Sequence, residues 1–583
     1  MSGLNPSAEQ LRRLQAAFRE LKAEQDEALR KDSQRTFVHT RVYRQVKDEG
    51  RCLLIGRKGA GKTALLVGYR AQNREDYLAD ADIDIIADEF PLEPLFNFFY
   101  LEIFKKLKGE QAKSGARETD LAHFLDPAKV ATYAWKQALI ASAVCMAAEQ
   151  ILKSDIAPKL SKDERATLEE ARESVLKLYG GQSGKGGLTG TGGQMLSSLL
   201  VFFFGNFTEL IDVVMDHSIG SFAGLVAKIS GQLSTLAKTN TAEALRKPVL
   251  QIRQILERHR KKVLLTLDRF DDFYDEFQYR HDSNTDLIYE KRTFLASLLK
   301  GLVIAARDIQ RDQANFNWIH MIFTIPMDKF LELQLRERAD LESNHVVRLE
   351  WSPRELYEMV NRRIANAMNL PERDVPNAWN LLFPFDVTNG RVREVKEDSF
   401  LYIVRHSLWN PREVQMYLKA LFSALENGPA DEEMFRRVVR AETENIIRRE
   451  FIGQFIGEFH GLQKVLNKLS NVQLRTVMPY EDLCDKLSGL ELFDDCRTPD
   501  QIMLRLFHMG VVGVRMNARK GNNLAVITQK KQEIAYRYCF NCDDNDPFAP
   551  ACDVCFHPMF FEYLNIRHEE QYVVNQLSWE MFG

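Results

Sequence analysis

The sequence predicts an α/β chain: a parallel sheet interleaved with helices and interrupted by a helical insertion, then a mainly helical stretch and a small β-rich end. Three observations carry that expectation. The apolar runs Cys52 to Ile55, Val263 to Leu267 and Ile319 to Ile325 are continuous and short, as strands covered on both faces are. Helical spacing fills the intervals, notably around Leu287 to Ile309. Beyond Trp351 the pattern is helical to about Ser470, opening on Ser352-Pro353-Arg354-Glu355, a capping box with proline at the first helical position.

Taken in order, residues 1–36 read as an N-terminal helix, with Leu11, Leu14, Phe18 and Leu21 at helical spacing among charges, the pattern of a surface or partner helix. Residues 37–111 read as the first part of the α/β core, with a second β-like run at Ile83 to Ala87. Residues 112–246 read as a helical insertion of unassigned role, carrying a glycine-rich linker from Tyr179 to Gln194. Residues 247–350 complete the core, and 351–470 form the helical stretch. Within 471–537 two helices, Tyr480 to Leu487 and Pro499 to His508, precede two short strands around a basic turn, an order that suits a winged helix. Residues 538–583 hold clustered cysteines and an aromatic-rich tail.

Composition narrows the classes. At roughly 150 residues per domain, 583 residues suggest about four domains, with a core that does not depend on disulfides. Lys plus Arg (78) against Asp plus Glu (82) gives a formal charge of −4, which excludes a polycation that coats nucleic acid; any such contact must be local. Of the eight cysteines four lie in one short stretch, which points to metal rather than disulfides and to a reducing, cytoplasmic setting. The apolar run Leu199 to Phe207 falls well short of the about 18 to 20 residues that spanning needs, so a buried or partner helix is expected there and no membrane association.

The strongest motif is Gly56-Arg57-Lys58-Gly59-Ala60-Gly61-Lys62-Thr63, a full match to the phosphate-loop pattern, set between an apolar strand and a helix. Glycines let successive backbone N–H groups wrap an anion and the helix adds its positive end. Lys62 is expected to reach the β and γ phosphates of ATP, and the Thr63 hydroxyl to ligate Mg²⁺. The strand Val263 to Leu267 ends in Asp268, the candidate carboxylate for the other side of that metal. Asp271 and Asp272 lie just beyond, and either could polarise an attacking water. Thr324 stands near the end of a strand from which it could read the γ phosphate. Asn410-Pro411-Arg412-Glu413 opens a helix that would aim Arg412 at the triphosphate.

Together GRKGAGKTALL, LLTLDRFDD and NPRE resemble the prokaryotic P-loop ATPases of the STAND and origin-recognition-like AAA+ clan, over about Thr36 to Glu110 and Lys247 to Thr528. The resemblance implies a P-loop NTPase core followed by a helical lid and a winged helix. It places Asp268, Asp271 and Asp272 in the Walker B segment and makes Arg412 the lid arginine. Relatives often carry an arginine after the sensor strand, where this chain has Ile325-Pro326. A neighbouring copy that supplied an arginine would favour a homo-oligomer, but Arg307, Arg311, Arg336 and Arg338 cannot be told apart from sequence.

Cys539, Cys542, Cys552 and Cys555 form two C-x-x-C pairs nine residues apart, a spacing that can close a tetrahedral Zn²⁺ site. Arg505, Arg515, Arg519 and Lys520, with Lys530, Lys531 and Arg537, make a locally basic patch that could contact DNA through the winged helix. The expected function is a Mg²⁺-dependent ATP-binding and hydrolysing switch that regulates or senses, in a bacterial, possibly antiphage, system, through a partner effector encoded nearby. An ATP-dependent DNA initiator or loader, and an ATP-bound scaffold without turnover, stay open beside it.

Overall fold

The computed structural model describes residues 6–19, 32–78, 96, 127–154, 156–180, 241–268, 285–332, 344–388, 396–455, 459, 461–490, 498–515, 526–529, 532–539, 553–566, 572–574 and 579. By compactness the chain divides into two units, Arg41–Arg57 with Leu65–Leu349, and Met1–Thr40 with Lys58–Ala64 and Glu350–Gly583.

The first unit holds a parallel sheet. In chain order its elements are strand β1 (Leu53–Gly56), helix α1 (Lys62–Gln72, from Leu65 on), helix α2 (Pro127–Lys153), helix α3 (Thr241–His259), strand β2 (Val263–Leu267), helix α4 (Thr285–Arg311), strand β3 (Ile319–Pro326) and strand β4 (Val346–Arg348). The order across the sheet is β2-β3-β1-β4 and every pairing is parallel. β1 and β2 are buried along their whole length, which is why they read as unbroken apolar runs. Tyr77 makes a parallel bridge to Lys262 beside the start of β2, so the chain after α1 returns to that edge. The expected strand Ile83 to Ala87 lies outside the described residues.

The described helices of the expected insertion belong to this unit's core. α2 runs along α4, and the Trp135 indole N–H donates to the Leu298 carbonyl at 3.0 Å. Ala134, Ala138, Ala141, Ala143, Ala147 and Ala148 are all buried, so α2 is apolar nearly all round, the mark of a helix enclosed by protein rather than of a separate module. The rest of the expected linker after Gly180, and the run Leu199 to Phe207, lie outside the described residues.

Small residues let the two helices meet. A Cβ placed on Gly301 would stand 2.5 Å from the Ala131 Cβ and 2.7 Å from Ala131 and Thr132 backbone atoms. Inside a helix alanine ordinarily gains about 1 kcal/mol over glycine. Here the sign reverses: Gly301→Ala is expected to destabilise the unit by about 1–3 kcal/mol through overpacking, read as a lowered denaturation midpoint. A variant as stable as the parent, or more so, would contradict the close approach.

The second unit is mainly helical. The helix Ala8–Ala17 is closed by a Ser7/Gln10 capping box, as residues with short polar side chains favour. Leu11, Leu14 and Phe18 are buried in this unit's core while Glu9, Arg12 and Arg13 stay exposed, so one apolar face seats the helix. The Arg363 guanidinium donates to the Ala17 carbonyl at 3.2 Å and lies over the Phe18 ring. Leu21 lies outside the described residues.

Helix α5 (Pro353–Met368) starts with the expected Ser352/Glu355 capping box. A short antiparallel pair follows, β5 (Asp386–Thr388) with β6 (Lys396–Asp398), and then helix α6 (Pro411–Ala424). A six-stranded sheet closes the unit: β7 (Val477–Pro479), β8 (Val512–Arg515), β9 (Val526–Gln529), β10 (Gln532–Cys539), β11 (Asp553–Phe556) and β12 (Tyr572–Val574), in the order β12-β9-β10-β8-β11-β7. Helices Tyr480–Leu487 and Pro499–Met509 stand between β7 and β8 in sequence. This sheet crosses the expected boundary at residue 538, because β11 pairs with both β7 and β8.

Candidate functional site

β1 runs out at Gly56, and α1 begins at Lys62. Between them Gly59 and Gly61 have φ of +82° and +92°, the left-handed region open to glycine at no steric cost. Space makes the same demand at Gly59, where a Cβ would stand 2.8 Å from the Asn410 amide nitrogen and 3.3 Å from the Arg412 Cβ. Lys62 is buried, and with Thr63 it occupies the first turn of α1, where backbone N–H groups have no helical acceptor.

Residues of the same unit as Lys58–Ala64 hold this part of the loop. The Trp351 indole N–H donates to the Ala60 carbonyl at 2.7 Å, and the Asn410 side-chain amide donates to the Lys58 carbonyl at 3.0 Å. Asn410 also caps α6, its Oδ1 accepting from the Arg412 N–H at 3.0 Å. Arg412, the expected phosphate-facing arginine, has its Cβ toward Gly59 and its guanidinium 2.9 Å from the Glu450 carboxylate. Glu450 lies in a π-helical stretch, Ile447–Phe451, a local geometry frequent at functional sites. Sequence reasoning missed Trp351 and Glu450. The capping box beside Trp351 drew attention to the helix, and a glutamate among charged residues carries no signal of its own.

In the sheet unit, β2 and β3 bring two predicted residues together. Their register pairs Thr266 with Ile322 and Leu267 with Phe323, which sets Asp268 level with Thr324. The Thr324 hydroxyl donates to Asp268 Oδ1 at 2.5 Å. The sequence marked both residues but not their contact. Arg70 of α1 donates to the Thr266 hydroxyl, tying that helix to β2. Asp271 and Asp272 lie outside the described residues, as do Arg336 and Arg338.

Toward the other end of β3, His320 stacks on Tyr69 with ring centroids 5.6 Å apart, and the Tyr69 and Tyr77 hydroxyls meet at 2.8 Å. Burial, helped by the Lys262 charge, holds the imidazole down at about 4. The unfolded chain takes up this proton near pH 6.5, before the folded one does, so stability falls as pH drops from about 6.5 toward 4. The residue as a whole is only partly shielded from solvent, so we expect on the order of 1–2 kcal/mol rather than the full equivalent of the shift. Urea midpoints at pH 7.5 and 5 should separate in the parent and draw together in His320→Gln; equal separation in both would rule His320 out.

The cysteines are described in part. Cys555 is fully buried in β11, where desolvation raises its thiol pKa far above the ordinary range. Cys539 ends β10, while Cys542 and Cys552 lie outside the described residues. Among the described residues no group of three or more His, Cys, Asp or Glu could hold a metal ion. Of the basic patch, Arg519, Lys520, Lys530 and Lys531 lie outside the described residues, whereas Arg515 and Arg537 fall on β8 and β10.

No family model matches the chain, and a search of curated proteins returns no match. Among the described residues no helix is long and apolar enough to cross a membrane.

Proposed function

We propose that this protein is a Mg²⁺-dependent, ATP-binding and ATP-hydrolysing switch of the P-loop class. The observation that carries the reading is the glycine loop: a full phosphate-loop sequence between a buried parallel strand and a helix, with left-handed glycines at 59 and 61 and a buried Lys62. The sheet order adds support, since β3 with Thr324 lies between the loop strand β1 and the carboxylate strand β2.

In this reading the loop amides and Lys62 bind the triphosphate, and the hard oxygen donors Thr63 and Asp268 would hold the metal. Mg²⁺ supplies neutralisation of charge developing on the phosphate oxygens. The Thr324 hydroxyl fixes the Asp268 carboxylate, Asp271 or Asp272 orients water, and Arg412 exchanges Glu450 for a phosphate oxygen. That exchange would carry nucleotide state to α6. A lid, a winged helix, a homo-oligomer, a nearby effector and a role in antiphage defence extend the proposal by resemblance. Calorimetric titration of MgATP into the purified full chain is the test. Saturable heat, with phosphate released on incubation, is expected; no heat from any purine triphosphate overturns the reading.

The DNA loader alternative rests on basic residues mostly outside the described ones, and a steep salt dependence of duplex binding would be needed to favour it. The spacing of the two C-x-x-C pairs alone supports a second proposal, a structural Zn²⁺ held by Cys539, Cys542, Cys552 and Cys555; the register, which sets β8 between Cys539 on β10 and Cys555 on β11, does not bring those two together. Elemental analysis should find about one zinc per chain, lost in Cys552→Ser. A metal-free parent would overturn it.

A further inference from the structure

Two side chains hold two alternate carbonyls of the glycine loop. Asn410 takes the Lys58 carbonyl and Trp351 takes the Ala60 carbonyl. In a planar trans peptide the C=O of one residue and the N–H of the next point in opposite directions. Fixing Lys58 O and Ala60 O therefore turns the Gly59 and Gly61 N–H groups away from Asn410 and Trp351. Both glycines have left-handed φ, the alternation from which anion-binding nests are built.

The surroundings of Asn410 are set with equal care. Trp409, just before it, has φ +57°, a left-handed conformation that costs a bulky residue about 1–2 kcal/mol and persists only where neighbours hold it. They do: the Trp409 N–H donates to the Ser407 hydroxyl at 3.2 Å, the Ser407 hydroxyl donates to the Val404 carbonyl, and the Leu408 N–H donates to the buried Glu413 carboxylate at 2.7 Å. An N-cap alone would need only the Asn410 oxygen, and serine or aspartate would serve. The amide nitrogen is the group that reaches the loop.

We infer that Asn410 and Trp351 are positioning residues for the phosphate loop: they orient the Gly59 and Gly61 amides as anion donors, so the loop is prepared before any nucleotide arrives. This rests on the nucleotide reading above and adds to it residues that act on the phosphates through the backbone.

Two variants separate this role from general stability. Asn410→Ser keeps a cap oxygen for the Arg412 N–H and removes the donor to Lys58. Trp351→Phe keeps an aromatic ring and removes the donor to Ala60. Hydrogen exchange of the nucleotide-free full chain should show faster exchange over residues 56–63 in each, with the α5 and α6 cores exchanging as in the parent. MgATP affinity by calorimetry should fall about 5-fold in each and more than 10-fold in the double variant. Parent-like affinity overturns the inference, and so does weakened affinity with unchanged loop exchange. A parent chain that gives no heat with MgATP sinks the nucleotide reading itself and this role with it. Parent-like exchange in the variants removes the clasp alone.

Discussion

Lys62→Ala is expected to cut ATP turnover by about 100- to 1,000-fold and to weaken MgATP binding at least 10-fold. Lys62 is buried at the start of α1, behind two left-handed glycines, where an anion held by the same turn would meet its positive charge. Alanine is a strong helix former and leaves the first turn of α1 intact, so the folded chain should survive. Phosphate release and calorimetry on parent and variant are the measurement. A variant that turns over at the parental rate would assign any ATPase activity to something other than this loop.

Asp268→Asn should separate binding from turnover. Asparagine keeps the shape and can still accept from the Thr324 hydroxyl, but it removes the negative charge proposed to face the metal. We expect MgATP affinity within a few-fold of the parent and hydrolysis reduced by about 100-fold or more. Thr324→Val offers the complementary loss, leaving the carboxylate without that hydroxyl. Unchanged hydrolysis in Asp268→Asn would remove it from the mechanism and shift attention to Asp271 and Asp272.

Strands β1, β2 and β3 were legible because nearly every residue in them is buried. Val263–Leu267 sits within the sheet and shows as an unbroken apolar run, and the expected and observed bounds agree there. Helix starts were legible for a different reason: the Ser352/Glu355 box and the Asn410-Pro411 cap are local chemistry, written in adjacent residues. What could not be read depends on long-range contact. α2 looked like part of an insertion because sequence shows an apolar helix but not its neighbour, and it takes Trp135 on Leu298 and Gly301 against Ala131 to show that α4 is that neighbour. The N-terminal helix was legible as amphipathic, but which core its three buried side chains join was not.

The site divides along the same line. Lys62, Asp268, Thr324 and Arg412 carry side-chain chemistry that a motif announces, whereas Trp351, Asn410 and Glu450 matter here for contacts with residues distant in sequence. The Asn410 amide acts on a carbonyl more than three hundred residues away in sequence, and no local pattern encodes such a contact.

The placement of β11 between β7 and β8 bears on how this protein is made. A ribosome that has released residues 477–515 has supplied two strands that cannot yet touch through their proper partner, so their edges stay open until residues 553–556 follow. Nascent chains halted between these points present those edges to any other strand that meets them.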